Sequence, residues 1–332
     1  MKAECAQWLK CLSCGGDLEV DQPSGEVVDG RLRCRCGVVV PIVRGVPRFV
    51  GTDAYAANFT FEWQRHRRTQ FDSERSRQSE ERFFQVTGLA PTDLAGKRVL
   101  DAGIGAGRFA DVVLRHGGTT VGVDLSYAID VARENLGSHP NAHLLQADLL
   151  NLPLKPGTFD LIFSIGVIMT TADARRTFLS LVPLLKPGGT IAIWIYDGYD
   201  RVYGASSDFY RRFTTRLPHR LLYALSHLAV PLYYLYRIPG FGAIALKWLP
   251  IGMHPNWRWR VLDTFDAYGM VFQSRHRYPE VYQWFQDGGL TEIEPREPPL
   301  SMKGQRPRPR EDRSRVNGRE EMSVVSPVVS PS

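Results

Sequence analysis

Three aspartates each close an apolar run, and glycines crowd the first of them. In KRVLDAGIGAGRF the run Val99-Leu100 ends at Asp101. The loop that follows carries Ala102, Gly103, Gly105 and Gly107 before a helix beginning near Phe109. Glycines there open backbone angles closed to other residues and let a ligand approach the main chain. A carboxylate directly before such a turn repels a pyrophosphate but pairs with an ammonium group. The dinucleotide fingerprint also needs its third glycine one place later, where Arg108 stands. TTVGVDLS ends at Asp124, a spacing suited to accepting from a ribose diol. LLQADLLNLP places Asp148 after another strand, where it could accept from an adenine amine.

A second chemistry sits near the N-terminus. Cys11 and Cys14 form C-x-x-C in CLSCGGDLEV, and Cys34 and Cys36 stand in LRCRCGVVVP. The two pairs resemble a zinc ribbon, in which four thiolates surround a structural ion. The second pair has one intervening residue where two are usual, which points to a strained or three-ligand site. Four closed ligands leave no open position, so a catalytic metal is not expected. Cys5 falls outside the pattern and reads as a spare thiol.

The elements that must position these groups follow from the alternation of apolar runs and helical stretches. RVLDAG, TTVGVDL, AHLLQAD, FDLIFSIG and TIAIWIY are separated by stretches such as FADVVLRHG and AIDVARENLG. Strands alternating with helices imply βαβ units. The expected fold is α/β, a doubly wound Rossmann-like, mostly parallel sheet with helices on both faces. A small N-terminal zinc-ribbon-like module and a helical cap insertion complete it. The expected boundaries are 1–50 for the ribbon, 51–95 for a helical leader and 96–197 for the α/β core. A cap follows at 198–275, the core returns at 276–304, and 305–332 reads as a disordered tail rich in Arg, Pro, Ser and Glu.

VLDAGIGAGRF, VGVDLS, QADLLNLP, FDLIFSIGV and LKPGGTIAIWIY, in this order, resemble the successive motifs of class I S-adenosylmethionine-dependent methyltransferases of the type 11 kind. CGVVVPIVRGVPRFV likewise resembles the Trm112-like ribbon ahead of some of these enzymes. The resemblance implies S-adenosylmethionine as cofactor and a structural zinc. It implies that Asp101 and the Gly103–Gly107 loop hold the methionine part and Asp124 the ribose. Leu125 would pack on adenine, Asp148 with Leu149 would bind its edge, and Ser164 and Ile165 would flank the cofactor. In the leader NFTFEWQRHRRTQFD, Gln70 is the contact candidate, while Trp63 and Phe71 either close over the cofactor or pack the helix on the sheet. GVIMTTAD carries Met169, Thr170 and Thr171 where relatives often have histidines, so no base is expected there.

Methyl transfer to a hydroxyl would need a general base. His254, Asp263, Asp266, Tyr268 and His276 from the cap are the candidates, each with a structural role as its alternative. Tyr and Trp in the insertion suit an apolar small-molecule acceptor of natural-product, glycan or quinone-like kind. The region 221–250 also reads as a peripheral membrane contact, or as a helical pair completing its own core. An RNA methyltransferase and a non-catalytic cofactor-binding scaffold are the competing readings. No basic stripe accompanies the ribbon, so nucleic acid is not the expected partner. The net charge of +6 is modest, and MKAECAQWLK lacks an apolar h-region, so a cytoplasmic compartment is expected.

Overall fold

The structure is a computed structural model and describes residues 1–21, 25–51, 56–74 and 76–309. It opens with four short strands, β1 (Leu18–Val20), β2 (Gly30–Cys34), β3 (Val39–Val43) and β4 (Val46–Pro47), paired antiparallel in that order. Two helices follow, α1 (Ala57–Arg65) and α2 (Gln78–Thr87). The alternating segment then gives β5 (Arg98–Ala102), α3 (Arg108–Arg115), β6 (Thr119–Asp124), α4 (Ala128–Leu136) and β7 (Ala142–Gln146). It continues with β8 (Phe159–Ile165), α5 (Ala174–Leu181) and β9 (Leu185–Trp194).

Five helices form the cap: α6 (Arg201–Thr214), α7 (His219–Ser226), α8 (Ala229–Tyr236), α9 (Phe241–Trp248) and α10 (Trp257–Gly269). The chain returns through α11 (Tyr278–Asp287), β10 (Thr291–Arg296) and β11 (Ser301–Gln305). The large sheet runs β10-β11-β9-β8-β5-β6-β7, parallel from β9 to β7 and antiparallel at β9-β11-β10. This is the expected α/β architecture of a mostly parallel sheet between helices.

The central strands are buried on both faces, which explains why they read as continuous apolar runs rather than alternating ones. The strand expected at LTEIEP is present as β10, but it is an edge strand. SMKGQ, which carries no alternating pattern, lies between it and β9. Gln305, placed by the sequence in the tail, therefore ends a strand, and Arg306 still pairs with Gly189 through its backbone. Residues 310–332 of that tail lie outside the described residues.

The ribbon is not a separate bead. Its edge continues the sheet, because Arg48 bridges to Gln146 in parallel and Phe49 N–H donates to Gln146 O at 2.9 Å. Leu9 bridges Leu154, and Trp8 meets His143 edge-on at 4.9 Å. Arg48 and Arg44 both reach Asp130 on α4. Trp8, Leu9 and Leu32 pack in one apolar cluster with Leu145, Leu152 and Leu154 of the α/β core.

Helix α10 is the spine of the cap, with α6, α7 and α8 packed on it and α9 on α6 and α8. Asn256 caps its N-terminus, accepting from Arg258 N–H and Trp259 N–H. The buried Arg260 donates to the carbonyls of His254, Val230 and Pro255, and its guanidinium lies 3.5 Å from the Tyr233 ring centroid. A buried guanidinium is tolerable only with its donors satisfied in this way.

Candidate functional site

A cleft of about 750 Å³ opens at the carboxyl ends of β5, β6, β8 and β9. Open α/β sheets bind ligands at that end, where the strand order reverses. Here the reversal lies between β5 and β8. One wall is the loop after β5, and the roof comes from α1 and α10.

The loop is shaped by its glycines at two points. Gly103 has φ 96°, and a Cβ there would stand 2.3 Å from Val167 Cγ1. Gly105 has φ 53°, and a Cβ there would press on the Trp63 indole at 3.2 Å. Both positions thus combine a left-handed backbone with close approach of a neighbour. Gly107 stands just outside the cleft as the residue before α3. Asp124 at the end of β6 accepts from Gly105 N–H at 2.9 Å and from Ser126 N–H and Oγ.

Of the residues expected at the cofactor, Gly103, Gly105, Asp124, Leu125, Asp148, Leu149, Ile165 and Gln70 line this one space. Asp101 and Ala102 lie behind it, fully buried. Ser164 does not face it: the hydroxyl donates to Ala102 O at 2.7 Å and ties β8 to β5. Asp148 holds its own turn by accepting from Leu150 N–H at 2.9 Å.

Asp101 is held well above the usual carboxylate range, chiefly by burial and then by the neighbouring Asp124, with Arg108 opposing. Its Oδ2 has no hydrogen-bond partner among the described residues. A buried acceptor left open beside a glycine cradle fits a cationic group, as the ammonium of S-adenosylmethionine would supply. Arg108 opens α3 and is half-buried among carboxylates, its own basicity pulled down to about 10 by desolvation.

The cap contributes a second set of acids. Asp263 and Asp266, one turn apart on α10, both line the cleft. Burial pushes each up to about 7, and Arg108 restrains both. Glu62 of α1 joins them. It is 1% exposed, its Oε2 is unpartnered among the described residues, and burial with Asp266 and Asp263 holds it far above its ordinary range. Tyr196, also in the lining, is raised by burial and the same carboxylates.

Three of the general-base candidates do not reach this space. Tyr268 donates to Pro250 O at 2.8 Å beneath the roof. His254 stacks on Trp259 at 4.2 Å and contacts Gln78. His276 is engaged at both ring nitrogens, by Glu280 and Ser274. Each is a supporting residue, and Trp259 rather than His254 faces the cleft. Glu62 and Tyr196 had no place among the candidates. The signal for Glu62 was an acid inside the aromatic run Phe59, Phe61 and Trp63.

The N-terminal cysteines converge. The sulfurs of Cys11, Cys14, Cys34 and Cys36 lie within 4.8 Å of one another, with Cys11–Cys36 at 3.7 Å and Cys14–Cys34 at 3.4 Å. Thiolates at about 2.3 Å from a tetrahedral zinc stand roughly 3.8 Å apart, so all four could hold the ion. The one-residue spacing is accommodated by the tight turn after β2, in which Gly37 N–H donates to Cys34 O and Gly37 takes φ 92°. Four sulfurs at these separations suit a tetrahedral site. Cys5 is buried and apart from this group.

Residues 100–193 match the family model described as "Methyltransferase domain". A ubiquinone biosynthesis O-methyltransferase of Coxiella burnetii is 32% identical over 100 residues, covering 30% of this chain and 43% of that protein. A malonyl-acyl-carrier-protein O-methyltransferase of Serratia marcescens is 32% identical over 97 residues, covering 29% and 37%. The chain thus spans less than half the length of these curated relatives. Among solved structures, an O-methyltransferase family protein from Burkholderia thailandensis aligns with TM-score 0.42 at 17% identity, covering 70% of this chain and 57% of that one.

Proposed function

We propose, from the premise that residues 100–193 are a methyltransferase domain, that the chain transfers the methyl group of S-adenosylmethionine to a small-molecule acceptor bound under the cap. The observation that carries the reading is one cleft lined at once by the Gly103–Gly105 loop, Asp124, Asp148 and the cap acids Asp263 and Asp266. The cofactor would supply an electrophilic methyl on a sulfonium. Asp101 and the glycine loop would hold its amino-acid end, Asp124 the ribose hydroxyls, and Leu125 with Asp148 and Leu149 the adenine.

The rest is alignment and proton handling by this chain. The acceptor's lone pair forms the new bond to carbon as the carbon–sulfur bond breaks, its electrons staying on sulfur. The acceptor's proton passes to the carboxylate group of Asp263 and Asp266, whose position near neutrality suits a general base. Glu62 of α1 lines the same space, its own carboxyl held far above its ordinary range by burial and these two acids. The protein would work with a structural zinc in its ribbon, which docks the N-terminus on the sheet.

The lining also bears on the acceptor class. Asp124, Asp148, Asp197, Asp200, Asp263 and Asp266 share the lining with Arg82, Arg108 and Arg275, so acids exceed bases even with Glu62 uncharged. A polyanion such as RNA meets repulsion there, whereas a neutral aromatic or polycyclic hydroxyl can pack on Trp259, Tyr196 and Tyr203. Calorimetric titration with S-adenosylmethionine, followed by transfer of labelled methyl to phenolic and quinol acceptors, tests the reading. No heat from a folded protein would overturn it.

A further inference from the structure

We propose that the outer face of the cap, α6 to α9, docks on the surface of an anionic lipid bilayer. The claim concerns binding and stands apart from the methyl-transfer reading. While α10 turns its side chains to the cleft and the cap interior, the helices outside it leave large apolar groups in solvent. On α6, Phe209 and Phe213 are one turn apart, 5.5 Å between rings, and 54% and 58% exposed. On α7, Leu221 and Leu225 repeat the one-turn spacing, and Leu228 follows. On α9, Phe241, Ile244 and Trp248 recur at three and four residues, the last two 64% and 65% exposed. Apolar groups set at helical spacing on a solvent-facing side mark a surface made to meet something.

Charge identifies what. Between Asp208 and Asp263 the chain has no Asp or Glu but eight Lys and Arg. Arg212, Arg216, Arg220 and Arg237 are exposed, and among the described residues none pairs with an acidic group. A second copy related by a two-fold axis would set cation against cation. A bilayer rich in acidic headgroups offers phosphate to the guanidinium groups and acyl chains to Phe213, Ile244 and Trp248. No described helix is long and apolar enough to cross a membrane, so the contact is in the interfacial plane.

The test is flotation of the full chain with vesicles of phosphatidylcholine, or of phosphatidylcholine with roughly one-third phosphatidylglycerol. The protein is expected to float with the acidic vesicles only, less so as salt rises, with a blue shift and quenching change in tryptophan emission that Trp248→Phe diminishes. Arg212→Glu with Arg216→Glu, both solvent-facing and so compatible with folding, should weaken binding at least about tenfold at unchanged thermal melting. Three results would each overturn the proposal. These are no flotation of the folded wild type, binding indifferent to lipid charge and salt, or a stable dimer in sedimentation whose dissociation by Ile244→Ser accounts for the exposed face.

Discussion

The backbone N–H of Gly105 donates to Asp124 Oδ2 across 2.9 Å, so the residue proposed to hold a ribose also shapes the loop proposed to hold the amino-acid end. The two halves of the proposed cofactor site are therefore one hydrogen-bonded unit, closed above by Trp63. Removing the Asp124 carboxylate loses a charge-assisted contact and frees the loop together. Asp124→Ala should weaken S-adenosylmethionine binding by about 1.5–3 kcal/mol, roughly 10- to 150-fold, in calorimetry. Binding unchanged in the variant would remove Asp124 from the site.

Asp263 and Asp266, lifted to about 7, predict the pH dependence of turnover. A general base works only when ionised, so kcat/KM should rise through about pH 7 and level off above it. Asp266→Asn should lower the plateau by about 100-fold or more, while Glu62→Gln, which replaces a carboxyl held far above its ordinary range by a neutral group of similar shape, should leave the midpoint where it is. A flat profile from pH 6 to 8 in all three proteins would exclude proton removal by these acids.

The ribbon should carry one zinc per chain by elemental analysis, and Cys36→Ser should lose it. Because the ribbon shares an apolar cluster with the sheet, metal removal by a strong chelator should lower the melting temperature of the whole chain rather than of a detached part. A chain that melts identically with and without the chelator would separate the metal from folding.

His143 titrates in the opposite sense to the cap acids. Burial pulls its imidazole down to about 4, with Lys2, the N-terminus and Arg98 adding to the effect. The folded form thus holds it neutral, a contribution complete above the ordinary value of 6.5 and lost as pH falls from there through 4. The ribbon contact should loosen in that window, seen as a change in Trp8 emission. His143→Phe should remove the transition. An unchanged acid transition in that variant would assign it elsewhere.

What the sequence disclosed was what depends on neighbours along the chain. Asp101, the glycines and Asp124 are each local to a strand end, and strand ends of a parallel sheet gather at one place by topology alone. Ser164 shows the limit of that reasoning. It ends a strand as expected, yet its hydroxyl turns to Ala102 O instead of the cleft. The roof was harder still. Whether Tyr268 or Trp259 faces inward depends on how α10 is rotated beneath α6, α7 and α8, and no periodicity specifies that rotation. Glu62 was overlooked because it becomes unusual only when α1 meets α10, some two hundred residues further on. The sheet return was missed for want of pattern, as Ser301–Gln305 is a strand held by partners on both sides rather than by its own propensity.

Arg48 and Phe49 have been described as the join between ribbon and sheet. Seen from β7, they are also a cover. β7 is the last strand of the parallel sheet, and an uncovered last strand invites pairing with any extended chain nearby. Part of the guard over that edge belongs to the same small sheet that brings four sulfurs within 4.8 Å of one another. The fold of the small sheet and the cover of the large sheet's last strand are thus one matter, and a change in the first is a change in what that strand exposes.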